Sequence, residues 1–181
     1  MQTRQQTPLA LGEPVEVLGF VEQGDYTPIL DDAVYRGAGV AKPIVAHPLT
    51  SDEALKGDYD CQLIRIAGRL IDRSRHGAEQ YLILQESNFI FQASLKRSDR
   101  RDYFASLENG SYVAVTGVCR IEPGKWEAGE DWRAKSFRVL MRSPNDVVLL
   151  KAPPWWTLKK VLWIAGALAF DDYQTASEYL M

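Results

Sequence analysis

The sequence predicts a mainly β fold: a five-stranded barrel with one short helix, preceded by a partial β module and followed by a C-terminal hydrophobic helix. Three observations carry this reading. Short segments of alternating hydrophobicity recur between residues 62 and 150, separated by turn-forming residues. One amphipathic segment with helix-boundary residues interrupts them. A stretch near the N-terminus repeats part of the pattern.

The strongest strand is "QLIRIAGRLIDR", residues 62–73. Ile64, Ile66 and Leu70 share one parity, and Arg65, Arg69 and Arg73 share the other. Gly68 in its middle suits a bending strand. After the turn "SRHGAEQ" come "YLILQES" at 81–87 and "NFIFQASL" at 88–95, the latter with Phe89, Phe91, Ala93 and Leu95 on one face. Residues 98–110 read as a short helix, with Ser98 as N-cap, Asp99 in the first turn and Gly110 beyond the end. A strand at 111–121, a loop at 122–135 rich in Trp, Gly and Glu, and a last strand complete the unit. Three strands, a helix and two strands is the order of an OB-fold, and closure into a barrel removes the open edges that short strands otherwise expose.

"LALGEPVEVLGFVE" at 9–22 aligns without gaps on "LENGSYVAVTGVCR" at 107–120. Leu9, Gly12, Val15, Val17 and Gly19 match Leu107, Gly110, Val113, Val115 and Gly117. Residues 26–36 and 136–150 then follow in the same style. The expected organisation is therefore a partial OB-like repeat of two strands plus linker at 1–49, a complete domain at 50–151, and a truncated membrane-helix stub with tail at 152–181. The partial repeat packs on the complete domain or drives self-association.

Composition is ordinary for a globular protein, with 46 % hydrophobic and 25 % charged residues. Net charge is −3, which argues against a partner made of phosphate backbone, so nucleic acid is not expected. Two cysteines, Cys61 and Cys119, and two histidines, His47 and His76, fall in no metal-ligand spacing. They read as free thiols, with a disulfide open to an exported chain. No metal or cofactor is expected. No nucleophile motif or paired carboxylate stands out, so no catalytic residue is assigned and enzymatic activity is not expected. No apolar stretch follows the N-terminal Met-Gln-Thr-Arg, so no signal peptide is expected.

The candidate ligand-binding residues are Arg65, Arg69 and Arg73 with Tyr81, and Trp126 and Trp132 in the 122–135 loop. Phe89 and Phe91 are alternative aromatic platforms but share the parity of the core. A cationic stripe suits an anionic ligand; it equally suits a solvated strand face. "PPWWTLKK" at 153–160 leads into "VLWIAGALAF" at 161–170. This run is shorter than the roughly 20 apolar residues a spanning helix needs. Its flanks carry the aromatic and cationic residues of a membrane interface: Trp155, Trp156, Lys159, Lys160 and Trp163.

Residues 7–36, 55–74 and 140–169 together resemble the extracytoplasmic sensor region of certain bacterial two-component sensor histidine kinases, Pro153 to Trp163 being the most specific element. The resemblance implies a periplasmic, membrane-tethered module that binds an unknown ligand or protein partner. It also implies membrane association through residues 155–170. The kinase core of that family is absent, so the chain reads as a fragment without signalling output. The alternative is a soluble OB-fold protein that binds single-stranded nucleic acid.

Overall fold

The computed structural model describes residues 1–99, 101–124 and 134–153. Among these residues nine strands, a one-turn helix and a 3-10 turn (Pro144–Asp146, between the last two strands) follow one another: β1 (Val15–Glu22), β2 (Ile29–Gly37), β3 (His47–Pro48), α1 (Ser51–Ala54), β4 (Leu63–His76), β5 (Glu79–Glu86), β6 (Phe89–Lys96), β7 (Tyr112–Pro123), β8 (Ala134–Met141) and β9 (Val147–Lys151).

Strands β4 to β8 close into a ring. β4 pairs antiparallel with β5, β5 with β6, β7 with β8, and β4 with β7; β6 and β8 pair in parallel. The ring order β4-β5-β6-β8-β7, with its single parallel contact, is that of an OB-fold barrel. β9 adds to the edge of β7, and β3 to the start of β4.

Alternate residues of every barrel strand point inward, as a period of two requires. Ile64, Ile66, Leu70, Leu82, Leu84, Leu95, Val113, Val115, Ile121 and Val139 are buried there. Each such branched side chain contributes about 1.5–3 kcal/mol by leaving water. Phe91 stacks on Phe137 in the core with ring centroids 5.1 Å apart. Close approach of two strands fixes Gly117: a Cβ there would lie 2.5 Å from the Leu140 carbonyl oxygen.

The short helix sits elsewhere than expected. α1 precedes the barrel, and its N-cap Thr50 forms a reciprocal capping box with Glu53. Between β6 and β7 the chain makes turns instead of the expected helix over 98–110. Gln80 explains this. Its side-chain amide donates to the Arg101 carbonyl and accepts from the Tyr103 N–H, while Asp102 accepts from the Phe104 N–H. Backbone groups that a helix would pair internally are bonded to side chains. Phe104 is thereby seated as a plug, 4 % exposed, against the core.

β1 and β2 form a separate antiparallel ribbon with an irregularity between Leu18 and Phe20. It meets the barrel through an ion pair of Asp25 with Arg120 at 2.6 Å and a hydrogen bond from Thr27 to Asp60 at 2.6 Å. Both cysteines are free thiols. Cys61 lies in the turn just before β4: its N–H donates to the Cys119 carbonyl at 2.8 Å, and its φ of 59° is left-handed. Cys119 is buried, and desolvation followed by the nearby Asp60 charge pushes its thiol up to about 12.

Candidate functional site

The pairing registers place the outward residues of β4, β5 and β6 in rows across the barrel. Arg69 lies beside Gln85, which lies beside Ile90. The next row runs Asp72, Ile83, Gln92 and Arg138, and the one after it Ser74, Tyr81 and Ser94. His76, Glu79 and Lys96 form the last row. Ile90 is 63 % exposed and Ile83 is half-buried, so two isoleucines stand among the polar side chains of this sheet face.

Tyr81 is the aromatic centre of this face. Its ring meets His76 nearly edge-on, with centroids 5.9 Å apart and planes at 69°. The Glu79 carboxylate accepts a hydrogen bond from its hydroxyl and, with partial desolvation, raises the phenol above its ordinary value. The phenol is therefore neutral at physiological pH and would not repel an anion.

The expected stripe Arg65–Arg69–Arg73 does not stay on one face. The β4–β5 register shifts between Leu70 and Asp72, leaving Ile71 as an extra residue. Arg65 and Arg69 remain outside. Arg73 pairs with inward Leu82, so it turns toward the barrel end, where its guanidinium donates to the Phe104 carbonyl. A bulge of one residue inverts parity for everything beyond it. The same inversion carries Arg75 to the side of Gln80. The result is a cleft of about 150 Å³ walled by Arg73, Arg75, Tyr81, Asp102 and Phe104. One donor of Arg73 is used by Phe104, and a guanidinium has five.

Charge on this surface is balanced. Arg138 lies 2.7 Å from Glu122, and Arg120 is held by Asp25. Arg75 is engaged by the carbonyls of Gly77 and Asp99. Arg69, Arg73 and Lys96 belong to none of the ion pairs among the described residues. The whole-chain acidity that argued against nucleic acid resides in residues 1–45, whose six carboxylates outnumber three cations. It does not describe the barrel.

Of the sequence-derived candidates, Tyr81 and Arg73 come together at the cleft, Arg69 lies along the same face, and Arg65 lies beside Thr116 of β7. Phe91 is core, and Phe89 sits at the rim, 38 % exposed. The sequence reading missed Gln80, Ile83, Ile90 and Gln92. Alternation within β5 and β6 was the available signal for the last three. Trp126 and Trp132, and the interface residues Trp155, Trp156, Lys159, Lys160 and Trp163, lie outside the described residues. So does the hydrophobic run at 161–170. No helix among the described residues is long and apolar enough to cross a membrane.

No family model and no curated protein matches the chain. Solved structures do. An OBody bound to hen egg-white lysozyme is 14 % identical, covering 61 % of this chain and 99 % of its own, with a TM-score of 0.41. Asparaginyl-tRNA synthetase from Pyrococcus horikoshii is 17 % identical, covering 61 % of this chain and 24 % of its own, with a TM-score of 0.43. Aspartyl-tRNA synthetase from Entamoeba histolytica is 12 % identical, covering 84 % of this chain and 30 % of its own, with a TM-score of 0.46. The chain thus spans less than a third of either synthetase. The expected kinship with the sensor region of histidine kinases is corrected: the structures named above are two synthetases and an OBody, and none of the three points to a sensor kinase. The sensory function and the periplasmic, membrane-tethered placement rested on that kinship and are corrected with it; the expectation that nucleic acid is not a partner rested on net charge and is corrected by the acidity lying in residues 1–45. The chain is an OB-fold barrel, extended at its N-terminus by a two-stranded ribbon.

Proposed function

We propose that this chain is a non-catalytic OB-fold module that binds single-stranded nucleic acid on the outer face of β5 and β6. Barrels of this topology present that face and its adjoining loops to oligonucleotides. The observation that carries the reading is Tyr81. It is an aromatic ring on the recognition face, edge-on to His76, bordering a cleft walled by Arg73 and Arg75. A base stacked on Tyr81 would bring its phosphate to the cleft, while Gln85 and Gln92 offer amide donors and acceptors to base edges. Stacking accepts any base, so the binding is tolerant of sequence.

The test is fluorescence anisotropy with labelled single-stranded RNA and DNA of about a dozen nucleotides, a length within the range one such barrel occupies. Tyr81→Ala should weaken binding by about 5- to 100-fold, equivalent to roughly 1–3 kcal/mol for one stacked base. Its circular dichroism and melting should stay close to those of the parent. Absence of binding by the parent chain, or an affinity unchanged by Tyr81→Ala, would overturn the proposal.

A further inference from the structure

The β1–β2 ribbon repeats the end of the barrel residue by residue. Gly12 and Gly110 both open a strand with positive φ, 81° and 92°. A Cβ at Gly19 would meet the Asp31 carbonyl oxygen at 2.9 Å, as one at Gly117 would meet that of Leu140. Phe20 pairs with Asp31 as Val118 pairs with Leu140, and Val21 pairs with Leu30 as Cys119 pairs with Val139. β1 thus stands for β7, and β2 stands for β8 up to the irregularity and for β9 beyond it.

The N-terminal arm extends the equivalence. Gln2 donates its N–H to the Leu30 carbonyl and accepts from the Ala33 N–H. Bonds to two residues on either side of a short stretch are the signature of parallel pairing; here Leu30 and Ala33 flank Asp31 and Asp32, one more residue than a regular ladder, and Asp32 is left-handed with φ of 44°. In the barrel, the parallel neighbour of β8 is β6, with Ser94 opposite Leu140. Gln2 occupies the place of Ser94. The ribbon therefore carries counterparts of the end of the third barrel strand and of the fourth and fifth, and none of the first two.

The consequence is an open edge at a known position. In the barrel, residues Tyr112–Val118 of β7 pair antiparallel with Arg69–Leu63 of β4. Their counterparts, Pro14–Phe20, make no backbone hydrogen bond on that side among the described residues. The side chains agree. Val113 and Cys119 are fully buried at 0 %, whereas their counterparts Val15 and Val21 are 40 % and 75 % exposed. Leu18 and Val34, opposite one another, border an open groove of about 400 Å³ on the ribbon.

We propose that the edge of β1 from Pro14 to Phe20 is a strand-accepting interaction site. Its occupant is a protein β-hairpin whose first strand runs antiparallel to β1 and alternates apolar and polar residues, as β4 does against β7. Backbone hydrogen bonds supply the affinity, and the exposed valines select alternate apolar side chains.

The test uses the full chain and a synthetic peptide with the sequence of residues 62–87, the hairpin that fills the equivalent edge of the barrel. Amide hydrogen exchange at residues 15–20 is followed with and without it. At least a tenfold slowing there, absent with a scrambled peptide and absent in Val17→Pro, is the expected result. A second form keeps the idea testable if the peptide self-associates: residues 62–93 fused directly ahead of Gln2 should give the same protection at 15–20. Unchanged exchange in both forms would overturn the proposal. So would protection of residues 15–20 that rises with the concentration of the chain alone, because a second copy would then hold the edge.

Discussion

Raising salt from 50 to 200 mM should weaken oligonucleotide binding by only about 20-fold. A single strand releases roughly 0.7 counterion per phosphate neutralised. Arg69 and Lys96 on the proposed face and Arg73 at the adjoining cleft belong to no ion pair among the described residues, and Arg120 and Arg138 are paired with Asp25 and Glu122. Three contacts give a slope of log affinity against log salt of about −2, and a fourfold rise in salt then costs about 20-fold. Anisotropy titrations at four or five salt concentrations measure the slope directly. Arg69→Gln should reduce it by about 0.7 without changing the fold. A slope steeper than about −4 would require more phosphate contacts than this face can make and would place the binding elsewhere. A slope near zero would show that the three cations do not face the ligand.

Three further outcomes test the physical reading of the fold. Asp146 is 9 % exposed and accepts from the N–H groups of Arg142 and Ser143, both at 2.9 Å, and from the Arg142 guanidinium at 2.8 Å. Asp146→Ala should cost about 2–3 kcal/mol in urea denaturation, chiefly from the donors left unpaired. Burial by itself would raise this carboxyl, but the bonds from Arg142 and Ser143 outweigh it and hold the group below its ordinary value. Its contribution is therefore present above the unfolded-state value and lost as pH falls through the lower folded one, so the gap between parent and variant should close in acid. Gly117→Ala forces a Cβ against the Leu140 carbonyl and should destabilise by about 1–3 kcal/mol, measured by thermal melting. In thiol titration with a disulfide reagent at neutral pH, exposed Cys61 should react while Cys119 reacts only in denaturant; equal rates in the folded chain would contradict the burial of Cys119.

The barrel was legible because it rests on alternation. Ile64, Ile66 and Leu70, or Phe91, Ala93 and Leu95, announce a buried face in the sequence alone, and all are in the core. The cleft was not legible, for two reasons. The bulge at Ile71 leaves no mark in the hydrophobic pattern, since Ile71 reads as an ordinary strand residue, yet it moves Arg73 and Arg75 off the outer face. The turns at 101–107 depend on Gln80, which lies more than 20 residues upstream, so local helix-boundary residues at Ser98 and Asp99 misdirected the reading. Net charge misled in a third way, by averaging an acidic N-terminal unit with a neutral barrel.

The N-terminal arm has one more effect. Gln5 presents its side-chain amide to Tyr35 as a strand would present a peptide unit, accepting from the Tyr35 N–H at 2.9 Å and donating to its carbonyl at 2.8 Å. Together with Gln2 it seals the far side of β2. A ribbon open on both sides can add strands without limit, which is how sheets grow into fibres. This one is open on one side only. A sheet that meets this ribbon through the edge of β1 therefore ends at the sealed side of β2, and cannot grow further through it.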